Sequence, residues 1–343
     1  MLKQTVFITA AILLAVSVGH AADKVKVRGA PLISGTITQM NPDEVVVEQG
    51  PVIKKVPVNQ IISIEYDEEP SELGNIVRNA YEDARFDDAL AGIGKLELGE
   101  ITRPEILQDV DFYKAASMAR LALGGGGPPR EAGGLLAAFE AKASGNYHYL
   151  EVCELLGDLL VAAGKVDNAQ KYYDKLASSA FPEYKLKAGV LGARALESQK
   201  KYDAAIAKYD EVINSDADGK EAVSQKQAAM CGKASALGAT GKTDEAIKLV
   251  EDVISQADAA DLELHARAHN ALGSCYRAAG KKKEALFHYL HTDLLFAAYP
   301  EQHAEALAAL STLWMEADKA DRAAFAKSTL KDRYPGSRWA QGK

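Results

Sequence analysis

The stretch that most constrains this chain runs from Ala268 to Tyr289, AHNALGSCYRAAGKKKEALFHY. It reads as two short helices folded against each other. Gly273 and Ala285 are small, so the two backbones can approach closely, while Tyr276, Leu286 and Tyr289 are large enough to fill the seam beside them. Gly280 predicts the end of the first helix, because glycine takes the left-handed conformation after a helix without strain. One such pair cannot bury its apolar face alone and needs neighbours on either side.

The rest of the chain provides them. Seven helix pairs align on a second-helix alanine: Ala89, Ala132, Ala169, Ala205, Ala246, Ala285 and Ala323, with gaps of 43, 37, 36, 41, 39 and 38 residues. An apolar fraction of 48% is ample for the core these pairs would share. The net charge of −8 argues against a general nucleic-acid binder, which needs a basic face to displace counterions.

The opening pair carries Leu272-Gly273, Tyr276, Gly280, Ala285 and Tyr289. This pattern resembles the tetratricopeptide repeat, although every gap exceeds the usual 34 residues or so of that family. Leu156-Gly157, Leu160, Gly164, Ala169, Tyr173 and Pro182 form a second good match, and Gly192-Ala193, Leu196, Ala205 and Tyr209 a third. Ala234, Leu237, Gly241, Ala246 and Val250 match with Val at the aromatic position. Leu310, Trp314, Ala323 and Pro335 form a degenerate last pair with Lys327 at that position. The first pair (Val77, Ala80, Phe86, Ala89, Ile93) is loose. The second is interrupted by Gly124–Gly127-Pro128-Pro129, which predicts a flexible loop between its helices. Atypical end repeats suit a solenoid, whose outer faces meet water. The resemblance covers about 265 of 343 residues and is strongest from Tyr149 to Tyr299. Repeats ending in Phe181-Pro182, Tyr299-Pro300 and Tyr334-Pro335 look most like envelope proteins of bacteria that use this fold, without the lipid-bearing cysteine of the anchored members.

Two N-terminal segments precede the repeats. Residues 1–21 read as a secretory signal, with Lys3 at its start, an apolar run from Val6 to Val18, and cleavage expected between Ala21 and Ala22. Residues 22–67 change character: Lys24–Val27, Leu32–Met40, Val45–Glu48, Val52–Val58 and Ile61–Tyr66 are short β-branched runs separated by turn residues. Five strands in about forty residues predict a small barrel, similar to SH3-like or Sm-like barrels. Asp67-Glu68-Glu69-Pro70 marks the boundary, since acids and proline suit a helix start. The solenoid is expected over 70–337 and a tail over 338–343. The fold class is therefore mostly α, an α-solenoid behind a small five-stranded barrel.

Chemistry finds little support. There is no GxSxG, HExxH or CxxC. Gly241-Lys242-Thr243 has the trailing half of a phosphate-binding loop, but Ala236 stands where its first glycine is needed, so Gly241 reads as a helix end. Cys153, Cys231 and Cys275 lie on apolar-rich first helices and are expected to be buried thiols. His265 and His269 are one turn apart, as two ligands of one metal would be, with His288 and His291 expected on the far side of the next helix. Without a Cys or carboxylate at zinc spacing they read as packing or solvated residues, or as sensors of mild acid. No catalytic residue, cofactor or metal is assigned.

The resemblance implies a concave face lined by first helices and meeting a peptide or partner protein. By register that face carries Glu151, Glu154 and Asp158 from the third pair, Lys187 and Arg194 from the fourth, and Arg267, Asn270 and Arg277 from the sixth. The expectation is an exported, periplasmic or envelope scaffold, non-catalytic, with a protein partner, no nucleic acid and no stable membrane insertion. A homo-oligomer is compatible with it. The rival is a hydrolase or small-ligand or metal-binding protein, with a site between barrel and solenoid or at His265/His269.

Overall fold

A computed structural model describes residues 22–342; the expected export signal at 1–21 lies outside them. Five strands come first: β1 (Asp23–Val27), β2 (Ile33–Met40), β3 (Glu44–Gln49), β4 (Val52–Pro57) and β5 (Ile61–Glu65). They form one antiparallel sheet in the order β4-β3-β2-β1-β5. β2 serves two partners. Its Ile33–Gly35 end pairs with β1 and its Thr36–Met40 end with β3, with a register break between Ile37 and Gln39. Such a break bends a strand. β4 and β5 are the two ends of the order, and among the described residues no ladder joins them. The segment expected to form a small barrel is thus a five-stranded antiparallel sheet folded over at β2.

Val25, Val45, Val47 and Ile64 are fully buried on one face of the sheet, in the same apolar cluster as Leu73, Val77 and Ile106 of the first helices. Asp23 locks this junction. Its carboxylate accepts the backbone N–H of Ile37 and of Asp67, each at 2.9 Å, and both arms of Arg103 at 2.6 and 3.0 Å. Burial alone would raise its pKa, but these bonds hold it below the ordinary carboxylate value.

A π-helical segment, Leu73–Arg78, leads into α1 (Asn79–Glu82), paired with α2 (Phe86–Ile93). Six further pairs follow: α3 (Pro104–Gly124) with α4 (Pro129–Ala143), α5 (Tyr149–Ala162) with α6 (Val166–Ala177), and α7 (Pro182–Ser198) with α8 (Tyr202–Ile213). Then come α9 (Lys220–Ala239) with α10 (Thr243–Gln256), α11 (Leu262–Ala278) with α12 (Lys282–Leu295), and α13 (Pro300–Glu316) with α14 (Ala320–Arg333). The seven aligned alanines each sit on a second helix and are all buried. Gly280 has φ +76° just after α11, as expected. None of these helices is long and apolar enough to cross a membrane.

The residue four past each alanine is the wedge of its pair. Ile93, Leu136, Tyr173, Tyr209, Val250 and Tyr289 are all buried there. The tyrosines lie against glycine backbone. A Cβ at Gly157 would fall 2.3 Å from the Tyr173 ring, one at Gly232 2.3 Å from Tyr209, and one at Gly273 2.7 Å from Tyr289. The seventh wedge position holds Lys327, which is exposed.

The superhelix closes on itself. The C-terminal end of α3 meets the N-terminal end of α13, so tightly that a Cβ at Gly124 would lie 2.3 Å from Pro300. Gly125 has φ +87°, a Cβ there would lie 2.0 Å from Ser337 N, and its carbonyl accepts the N–H of Gly336 at 2.8 Å. The glycine run expected to form a flexible loop is instead a backbone seam between the second and seventh pairs. Only glycine fits both the left-handed turn and the close approach. Arg28, just after β1, reaches Glu221 on α9 at 3.5 Å, and Asn59 reaches Glu183 on α7, so the sheet also touches the middle of the array.

Candidate functional site

The first helices face inward, and closure makes the concave face an interior in which side chains from distant pairs meet. Glu151 accepts the hydroxyl of Tyr81 at 2.6 Å and Arg120 at 3.2 Å. Glu154 is buried between Lys187, its salt-bridge partner, and Arg120 at 3.9 Å. Arg194 spans the interior from α7 to α13, donating to both oxygens of Glu301 at 3.1 Å. Arg267 pairs with Glu263 one turn earlier at 2.6 Å. Asn270 is buried and donates to Gln302 O at 2.9 Å and Glu305 Oε2 at 3.1 Å. Asp158 accepts the hydroxyl of the wedge Tyr173 at 2.8 Å. Of the eight residues placed on this face by register, Arg277 alone makes no hydrogen bond or salt bridge among the described residues.

A cavity of about 250 Å3 lies where the third pair faces the seam. Six acids line it, Glu82, Glu151, Asp158, Asp261, Glu263 and Glu301, against two arginines, Arg120 and Arg267. The acids differ in their affinity for protons. Burial, reinforced by the charges of Glu154 and Glu301, pushes Asp158 up to about 6, against the pull of Arg194 and the Tyr173 hydroxyl. Glu263 goes the other way: burial would raise it, but Arg267 and Arg120 hold it at about 2. Arg120, Glu263 and Glu301 were not found by sequence register. Glu263 stands four residues before Arg267, a readable signal; Arg120 and Glu301 meet this face only because the array closes.

A second cavity, of about 420 Å3, opens at the C-terminal end of the same face and includes Arg277. Between the sheet and the first helices lies a buried ion cluster: Arg78 bridges Glu69 and Asp109, the latter at 3.0 Å. His148, stacked 3.5 Å from the Phe112 ring, approaches Asp109 at 3.5 Å.

The histidines correct one expectation. His288 and His291 do not face away from the first helix. His269 Nδ1 lies 3.1 Å from His288 Nδ1, and the rings of His269 and His291 stack at 4.6 Å. Packing of α11 on α12 turns that side of α12 inward. Among the described residues, no three such side chains are arranged to hold a metal ion. Burial first, then the neighbouring imidazoles, lowers the pKa of His269 to about 4. The three cysteines are buried free thiols, with Cys231 and Cys275 pushed up by burial to about 12 and 11.

The family profile of the tetratricopeptide repeat matches residues 154–222 and 231–290, which run from α5 into α9 and from α9 to α12. Those two stretches are similar to tetratricopeptide repeats. No curated protein matches it. Among solved structures it is similar to a tetratricopeptide repeat protein from Parabacteroides merdae, at 15% identity over 77% of this chain and 94% of that one, with a TM-score of 0.44. A Rap protein complexed with competence and sporulation factor has 14% identity over 79% and 77%, TM-score 0.47. Pseudomonas aeruginosa pilF has 18% identity over 67% and 96%, TM-score 0.35. Proteins with tetratricopeptide repeats generally mediate protein–protein interactions.

Proposed function

We propose that this chain is a non-catalytic protein-interaction scaffold of the bacterial envelope. Residues 1–21 act as a removed export signal, 22–67 as a docking module and 70–337 as the recognition array. The observation that carries recognition is the central cavity, where six acids face two arginines and one acid, Asp158, is pushed to about 6. Four of the six have a salt-bridge partner, and Asp158 and Asp261, which have none among the described residues, favour a positive partner group. The volume, about 250 Å3, is below the roughly 300–1,000 Å3 of small-molecule sites. It suits a single lysine or arginine side chain, or an amino terminus, presented by a partner protein. Arg194 and Arg267, which might have drawn an acidic segment, already face Glu301 and Glu263. Asp158 is therefore the recognition residue in this reading, with Glu151 beside it, held by Arg120 and Tyr81.

Two measurements test it. N-terminal sequencing of the exported protein should begin at Ala22 or within a residue or two; a retained Met1 overturns the export reading. Affinity capture of the native partner should weaken in the Glu151→Gln, Asp158→Asn double variant, most at low salt, where charge is least screened. Unchanged capture at two ionic strengths, with the helical circular dichroism intact, removes the cavity from the reading.

A further inference from the structure

The second cavity has a structural cause. In six pairs the wedge position is filled by a buried apolar or aromatic side chain, whereas the seventh holds exposed Lys327. Ser311 stands where the sixth pair has Gly273, and Thr312 where it has Ser274. The tyrosine that lines the opening with them is Tyr289, the wedge of the sixth pair. The C-terminal tail covers this side of the seventh pair: Trp339 and Ala340 pack on the last apolar cluster and form the outer wall. Between tail and helices remains the opening of about 420 Å3, within the range of small-molecule sites.

Its lining is amphipathic. Ala308, Ala309 and Leu330 offer apolar surface and Trp339 an aromatic face. Arg277, Lys327 and Lys331 line the same opening, and among the described residues none of the three makes a salt bridge. Glu305 is the single acid there, already engaged by Asn270. Three cations against one carboxylate leave an excess of two positive charges.

We propose that this cavity binds a small aromatic acid, its ring filling the space that a wedge tyrosine fills in other pairs and its carboxylate meeting Arg277, Lys327 and Lys331. The site is separate from the acidic central cavity and does not depend on the proposed partner recognition.

The test is calorimetric titration of the full mature chain with 4-hydroxyphenylacetate, p-cresol and acetate. The aromatic acid is expected to bind at least tenfold more tightly than either fragment, since ring and charge are each satisfied only in the joined molecule. Lys327→Tyr places a wedge in the seam and should abolish binding while leaving the melting temperature equal or higher. Arg277→Ala, a change at an exposed position, should weaken binding about tenfold with the fold intact, which keeps the test independent of how Lys327→Tyr folds. Absence of binding by the folded wild type overturns the proposal, as does acetate or p-cresol binding as well as 4-hydroxyphenylacetate. Unchanged affinity in both variants also overturns it.

Discussion

Asp158 sits among like charges, and its carboxyl holds a proton to about pH 6. A carboxyl whose pKa is raised on folding contributes its full stability below the unfolded value near 4, and that contribution is lost as pH rises through 6. Asp158→Asn should therefore stabilise the protein at pH 8, by on the order of 1–3 kcal/mol, and have little effect at pH 4. Thermal melts at the two values check this; equal shifts at both would show that Asp158 is not strained by charge. His269 gives the opposite sign to an acid shift. Its pKa is lowered from 6.5 to about 4, so protonation favours the unfolded chain and stability falls as pH drops from about 6.5 towards 4. His269→Gln should blunt that loss by on the order of 1–2 kcal/mol. Hydrogen exchange in α11 and α12 of the wild type, compared at pH 7 and pH 5, should rise more than in the variant.

The wedge explains why the helical elements could be read from the chain. Each pair has one small residue where the second helix crosses the first, and six of the seven have a filler a turn later, so the seven alanines mark seven pairs despite unequal gaps. Gly273→Val tests the wedge directly. Its side chain would enter the Tyr289 ring, costing about 1–3 kcal/mol by overpacking, measurable by denaturant melts. Adding Tyr289→Ala should give back part of that loss, and if it does not, the two residues do not share the seam. The strands were equally legible, because β-branched runs and turn residues are local. The site was less so. Glu154 and Lys187 were placed on one face by register, but nothing near Arg194 announces Glu301, which lies three pairs away. Gly124–Gly127 misleads for the same reason. Locally it has the composition of a linker, and the backbone it fits against, Pro300 and Ser337, belongs to the other end of the array.

At the scale of the molecule, two junctions hold the array: Asp23 with Arg103 at the sheet and Gly125 with Gly336 at the seam. Asp23→Ala leaves Arg103 with Glu105 alone and two N–H groups unsatisfied, and should cost about 2–4 kcal/mol, read in a chemical melt. Gly125→Val should part the seam instead, because valine tolerates neither φ +87° nor the 2.0 Å approach to Ser337. Spin labels at 114 on α3 and 332 on α14 should move apart in that variant, with the helical content kept. An unchanged distance would mean that the seam is not what closes the array.

The bond between Gly125 and Gly336 joins residues 211 apart in the chain, whereas an ordinary solenoid is assembled from neighbours alone. Contacts of such long sequence separation form late. During synthesis the early pairs can stack as they emerge, but the seam must wait for the final residues. Until then the acidic interior has an open side. Closing it is a late step of folding, and those few glycines set how long the array stays open.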